Sequence, residues 1–359
     1  MSFSRVPLFA LSSLAMLLAA GCSSAVETTS GPTTGGTTGD GTPGAGGASS
    51  GSSTTGSSGA GGDTFDGGAP LATIESGIGP IKANPGFEDT QCITVRLKNT
   101  EGAFVRRFRA DLGSGSHHLI AYKSDSTTES TTPTPCKGFS GLLGGEHPIF
   151  VAQQAKAELV FPTDENGVPV ALEIAPNQMV RLELHLINTE SAPMDVTGKI
   201  FVDTVPLSTN VVKSDLAVWG TKNIDIPANS AFDTGVKYQK AIAGSKTFAL
   251  TTHQHQLGTR MRVWYANDAA DINGTPVADG QNWSDPPLEL FTPALDFPDS
   301  GNGKTSSKGL AFKCEWKNTT PSDVHFGEGF NDEMCFLWQY YYPSQGFQLC
   351  VDGYCKSVK

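Results

Sequence analysis

The chain has no basic tract. Its 359 residues carry 25 Lys and Arg against 36 Asp and Glu, a formal net charge of -11. Nucleic acids and anionic membrane surfaces are gripped by clustered Lys and Arg that neutralise phosphate, so both partner classes are left out. Nor does any apolar run reach the ~20 residues of a membrane-spanning helix. The longest, in MSFSRVPLFALSSLAMLLAAGCSS, is short and interrupted by serines. Sustained helical periodicity is missing too, which argues against bundles and βαβ repeats. No HExxH supplies the histidines and general base of a hydrolytic zinc site.

What the N-terminus does contain is one basic residue (Arg5), an apolar core and small residues running into Cys22. That order marks residues 1–22 as an export signal. LAAGC resembles a bacterial lipobox, with Ala19 where Leu is commonest. It implies acylation of Cys22 and a cell-envelope lipoprotein, touching membrane only through that lipid; without acylation the protein is simply secreted. Residues 23–69 are almost entirely Gly, Ser, Thr, Ala and Pro, too little apolar surface to offset the entropy of ordering. They are expected to form a disordered tether between anchor and body. Six cysteines remain, an even number that favours disulfides in an exported chain, with fifteen possible connectivities. Cys350 and Cys355 enclose a short loop and are expected to pair.

From residue 70 onward, short β-type runs recur between turn-rich stretches. They are CITVRLKN (92–99), HHLIAYKS (117–124), KAELVFP (156–162), MVRLELHLI (179–187), GKIFVDTV (198–205), TFALTTHQH (247–255), RMRVWYA (260–266) and GLAFKCEW (309–316). Such spacing predicts an all-β sandwich or barrel architecture, and the length suffices for two domains divided near 205–215.

The histidines fall on these strands. In MVRLELHLI the apolar set Val180, Leu182, Leu184 and Leu186 should face a core, which sends His185 outward with Arg181 and Glu183, open to solvent or a metal. His253 and His255 are two apart, so in a strand both imidazoles leave one face and can share an ion; the alternative is two solvated polar residues. His117 and His118 are adjacent, which in a regular strand separates them. A common metal requires the strand to begin, twist or bulge there, and the preceding GSGS makes a break available. His147 and His325 lie in turn-like stretches and are expected to be surface or hydrogen-bonding residues. Met334, between Glu333 and Cys335 ahead of the aromatic run CFLWQYYYP, would ordinarily be a core methionine.

Taken together, HH, the later H of LELH, HxH followed by LG, and EMC followed by YYP resemble the copper type II, ascorbate-dependent monooxygenases. That family includes dopamine β-monooxygenase and peptidylglycine α-hydroxylating monooxygenase. The motifs run from His117 to Pro343 in the family's order. The resemblance implies two jelly-roll-like β-sandwich domains, residues 70–207 and 208–359, each with one copper, facing each other across an open cleft. It implies His117, His118 and His185 as ligands of an electron-donating copper. His253, His255 and Met334 would hold the catalytic copper, where dioxygen is met. Three imidazoles suit cycling between Cu(I) and Cu(II), and a thioether beside two imidazoles favours Cu(I). A Cys314–Cys335 disulfide is implied beside Met334; Cys92 and Cys136 then bracket the HH strand and are expected to pair.

The implied activity is hydroxylation of a C–H bond of a small organic substrate by dioxygen, with ascorbate or another one-electron donor, in a monomer. Peptidylglycine enzymes grip a peptide carboxylate with an arginine two places before HxH and a tyrosine four places after the methionine. Here those positions are Thr251 and Trp338, so peptide amidation is not expected. Trp338, Tyr340 and their neighbours point instead to an apolar or aromatic substrate, or are simply core. The competing function is a non-catalytic copper-binding surface lipoprotein on the same fold.

Overall fold

The computed structural model describes residues 71–358 apart from Gly145 and Phe330. The signal segment, Cys22 and the 23–69 tether lie outside the described residues.

The fold is all-β. The first strands are β1 (Ala72–Ala83), β2 (Glu88–Arg96), β3 (Ala103–Leu112), β4 (Ser116–Lys123), β5 (Ser130–Pro135), β6 (His147–Ala152), β7 (Lys156–Val160), β8 (Val170–Ile174), β9 (Met179–Ile187), β10 (Met194–Pro206) and β11 (Val212–Lys213). A single turn of helix, α1 (Ser140–Gly144), precedes β6. Then come β12 (Asp215–Thr221), β13 (Asp225–Ile226), β14 (Ala231–Asp233), β15 (Lys237–Ile242), β16 (Ser245–His253), β17 (Gly258–Ala266), β18 (Ala278–Gly280), β19 (Leu288–Phe297), β20 (Thr305–Lys317), β21 (Val324–His325), β22 (Cys335–Tyr342), β23 (Phe347–Val351) and β24 (Tyr354–Val358). All eight runs read from the sequence fall on strands.

Four main sheets result. Sheet I is ordered β1-β10-β3-β8-β11 with β7 beside β3, and sheet II is β5-β2-β9-β4-β6. Sheet III is β19-β16-β22-β12-β23-β24; sheet IV is β14-β20-β17-β18 with β15 beside β20, and β13 and β21 form a small ribbon. The chain leaves sheet I at Lys213 and enters sheet III at Asp215.

The aromatic run of β22 shows how the layers stack. Its side chains alternate between faces. Phe336, Trp338 and Tyr340 join one apolar cluster with the residues of sheets I and II, while Leu337 and Tyr341 join another with Met261, Val263, Leu310 and Phe312 of sheet IV. Sheet III is therefore buried on both faces, which is why this strand reads as a continuous apolar run rather than an alternating one. Fully burying each such side chain contributes roughly 1.5–3 kcal/mol. Gly220 of β12 leaves space for the β22 aromatics, since a Cβ there would sit 2.2 Å from the Phe336 ring.

Packing of sheet III on sheet II corrects one expectation. The polar face of β9 was expected to meet solvent, yet Glu183 and His185 are only 0% and 3% exposed. Alternation placed them correctly on the face opposite Leu182 and Leu184. What it could not show is that another sheet covers that face. The three disulfides are Cys92–Cys136, Cys314–Cys335 and Cys350–Cys355, pairings that belong to an oxidising compartment.

Candidate metal centre

The first histidine group is made by a bulge. Ser116 pairs with Leu186, but His118 pairs with His185, so β4 spends two residues, His117 and His118, against one of β9. Gly115, at φ +80°, feeds the chain into this irregularity with a backbone angle that an L side chain rarely adopts. The bulge brings adjacent residues to one place. Potential ligand atoms of His117, His118 and His185 all lie within 4.8 Å of one another.

All three rings are buried. His185 Nε2 lies 3.1 Å from Glu88 Oε1, whereas His117 Nε2 and His118 Nδ1 have no hydrogen-bond partner among the described residues. Burial, then the neighbouring His185, pushes His117 down to about 3 and His118 well below the usual imidazole range. Burial thus disfavours the charged form of both rings.

The second group sits where β16 ends. His253 closes the strand, and His255 lies in the turn to β17, with ring centroids 5.2 Å apart. His253 Nδ1 lies 2.7 Å from Gln153 Oε1, and His255 Nδ1 lies 2.9 Å from the Asp332 carbonyl. Both acceptors place the ring proton on Nδ1 and leave Nε2 bare; both Nε2 atoms are buried with no partner among the described residues. Burial drives His253 well below the usual range and His255 to about 4.

Glu333 shapes the turn. Its carboxylate accepts the backbone N–H of His255 at 3.0 Å and of Leu257 at 2.7 Å, and the Trp316 indole N–H at 2.7 Å. Burial nevertheless raises it to about 7. Met334 follows, buried, two residues before Phe336, which is the register partner of His253. The Cys314–Cys335 bond ties β20 to β22 beside it.

The two groups are not parted by an open cleft, as the resemblance implied. The His118 and His253 ring centroids are 5.4 Å apart, and His117 and His253 are 6.4 Å apart. Sheet II packs directly on sheet III here: Val151 N donates to Tyr340 Oη at 3.1 Å, and the Phe139 ring bridges His118 and Trp338 at 5.4 and 6.1 Å. Five of the seven histidines thus form one buried cluster. The other two stand apart. His147 opens β6 and contacts Asp215 at 2.5 Å, while exposed His325 of β21 lies 3.1 Å from Asp225. His147 is a hydrogen-bonding histidine and His325 a surface one, each as expected, though both lie on strands rather than in turns.

Gln153, Glu88, Asp332, Glu333 and Phe139 support the cluster and had not been picked out. Each acts through a contact between distant segments.

Beside Met334 lies an apolar cavity of about 90 Å³, whose lining includes Phe139, Val218, Phe336 and Trp338. The Trp338 indole N–H is buried with no partner among the described residues.

Residues 221–358 match the family described as copper type II ascorbate-dependent monooxygenase, C-terminal domain. The matched range contains His253, His255 and Met334; His117, His118 and His185 precede it. Solved structures with weak likeness include the major capsid protein P2 from bacteriophage PM2, at 9% identity and TM-score 0.29, covering 76% of this chain and 97% of that one. Broad bean stain virus gives 8% identity and TM-score 0.25, covering 80% and 96%. Scores this low do not establish a shared fold.

Proposed function

We propose that the chain is a member of the copper type II ascorbate-dependent monooxygenase family, whose C-terminal-domain model matches residues 221–358, and that it is a copper-dependent monooxygenase hydroxylating a C–H bond of a small apolar or aromatic molecule. His117, His118 and His185 would hold one copper, and His253, His255 and Met334 would hold the other. The two copper domains meet at Ser214, between β11 of sheet I and β12 of sheet III, a few residues beyond the boundary at 207 expected from the sequence.

The observation that carries this assignment is the four bare ring nitrogens: His117 Nε2, His118 Nδ1, His253 Nε2 and His255 Nε2. A buried polar atom without a partner costs roughly 1–3 kcal/mol, so four in one cluster are a large expense for a marginally stable fold. Metal ligation uses those lone pairs. The donor set fits copper: imidazoles and a soft thioether, with the six described cysteines closed in disulfides and unable to act as thiolate ligands for zinc.

Copper bound there would supply one-electron chemistry with dioxygen, with ascorbate or another one-electron donor as reductant. The chain's own contribution is to fix the rings and exclude water. Asp332 and Gln153 orient the HxH imidazoles, Glu333 holds the turn between them, and the junction of sheets II and III dries the cluster. For substrate, the cavity beside Met334 offers mainly apolar walls, with Lys222 and Glu328 also in its lining and the Trp338 indole N–H without a partner among the described residues. Thr251, at the position of the peptide-gripping arginine, is buried and receives a hydrogen bond from Gln153 at 3.1 Å, so no cation awaits a carboxylate there. The disulfides, with the lipobox-like run to Cys22, make a cell-envelope lipoprotein part of the proposal.

The test is dioxygen uptake by the copper-loaded protein with ascorbate and a panel of small aromatic and aliphatic compounds. Substrate-dependent uptake with a hydroxylated product supports an enzyme. Tight copper binding without turnover on any compound favours a copper-binding lipoprotein instead.

A further inference from the structure

We infer that Gln153 is a positioning residue, which selects the tautomer of His253 from across the junction between the two pairs of sheets. Gln153 directly follows β6 of sheet II and is buried; His253 ends β16 of sheet III. The orientation of its carboxamide can be argued from its partners. Gln153 Nε2 lies 2.9 Å from the Thr252 carbonyl oxygen and 3.1 Å from Thr251 Oγ1. A main-chain carbonyl can only accept, so the amide nitrogen must be the atom facing it. The amide oxygen then necessarily faces His253 Nδ1, at 2.7 Å. An amide oxygen can only accept as well, so Nδ1 carries the proton and Nε2 keeps its lone pair.

The two histidines of HxH therefore depend on different parts of the molecule. His255 Nδ1 bonds the carbonyl of Asp332, which lies three residues before β22 of sheet III. The tautomer of His255 is set within the C-terminal half. His253 is set by a residue of the N-terminal half, roughly a hundred positions away in sequence, as the separation of 100 shows. Correct docking of the two halves thus prepares one imidazole of the second site, in addition to covering it. Outer hydrogen-bond partners of this kind typically contribute 10–100-fold to metal affinity.

The assignment of His253 as a copper ligand comes from the proposed function, so the experiment is built in two arms that fail separately. In the metal-free protein, long-range proton–nitrogen correlation spectra report which ring nitrogen of each histidine carries the proton. The expected result is a single Nδ1–H form for His253 in the parent and in Gln153→Glu, which keeps an acceptor. Gln153→Leu should give a mixture of tautomers at His253 while His255 stays unchanged. In the second arm, titration with copper should show Gln153→Leu weakening one site about 10–100-fold and leaving the other as it was. Failure of the parent protein to bind copper overturns the ligand assignment but not the role of Gln153, which the tautomer arm decides. An Nε2–H form of His253 in the parent, or an unchanged single tautomer in Gln153→Leu, overturns the inference. Should Gln153→Leu not fold, Gln153→Glu decides: retention of Nδ1–H supports the inference, and a shift to Nε2–H overturns it.

Discussion

His118 and His185 are register partners across β4 and β9, and His117 is the extra residue that the bulge inserts beside them. One irregularity in hydrogen bonding thus turns a sequential HH pair, which regular alternation would split between two faces, into two thirds of a three-imidazole group. Sheet III then closes over that group and brings His253 within 5.4 Å of His118.

Removing His185 should empty the first group without disturbing the second. His185→Ala is expected to lower bound copper from two per chain to about one. The remaining copper should respond to Met334 substitution. Elemental analysis of the dialysed protein checks this, and full retention of both metals would show that His185 is not a ligand.

Met334 can be tested without opening a hole. Met334→Leu nearly conserves volume and should cost less than about 1.5 kcal/mol of stability. It replaces the thioether with hydrocarbon. Hydroxylation should fall at least about a hundredfold while copper at the three-histidine group stays bound; turnover close to that of the parent would contradict the assigned role.

How much of this was legible in the sequence differs by level. Alternation in MVRLELHLI and in RMRVWYA fixes strands and their faces, because a period of two is local. The six candidate ligands were visible through the order of HH, LELH, HxH and EMC. The dry environment of His185 was not, since a polar face that alternates with leucines looks the same whether water or another sheet lies above it. Gln153 was equally hidden: nothing in HPIFVAQQ distinguishes a surface glutamine from one that reaches His253. The packed junction replaced the expected open cleft for the same reason, as contact between two sandwiches leaves no periodic trace.

Asp203 should govern part of the acid limb of stability. Burial alone would raise its carboxyl, but hydrogen bonds from Arg109, Thr73 and Arg107 hold it below the usual carboxylate range. A depressed folded-state pKa gives stabilisation that is present above the unfolded value near 4 and is lost as pH falls through the folded one. Asp203→Asn should therefore destabilise the protein at pH 7 by about 1.5–3 kcal/mol and flatten the loss of stability as pH falls below about 4. Denaturant unfolding across that range measures both effects. An unaltered acid limb would remove Asp203 from the account.

The Cys314–Cys335 bond should matter locally as well as globally. Its 21-residue separation predicts about 3 kcal/mol of stabilisation. Replacing both cysteines with alanine should lower the melting temperature and weaken copper at the Met334 group more than at the three-histidine group. Equal weakening at both would mean that the bond merely supports the fold.

The measurement that bears most directly on the central claim is the copper content of residues 70–359 after loading and dialysis against a zinc competitor. Two coppers per chain are predicted, with one lost in His185→Ala and the other weakened in Met334→Leu. A parent protein that retains no copper, or that binds zinc in its place, would contradict the account and leave the five buried histidines without their proposed ligand.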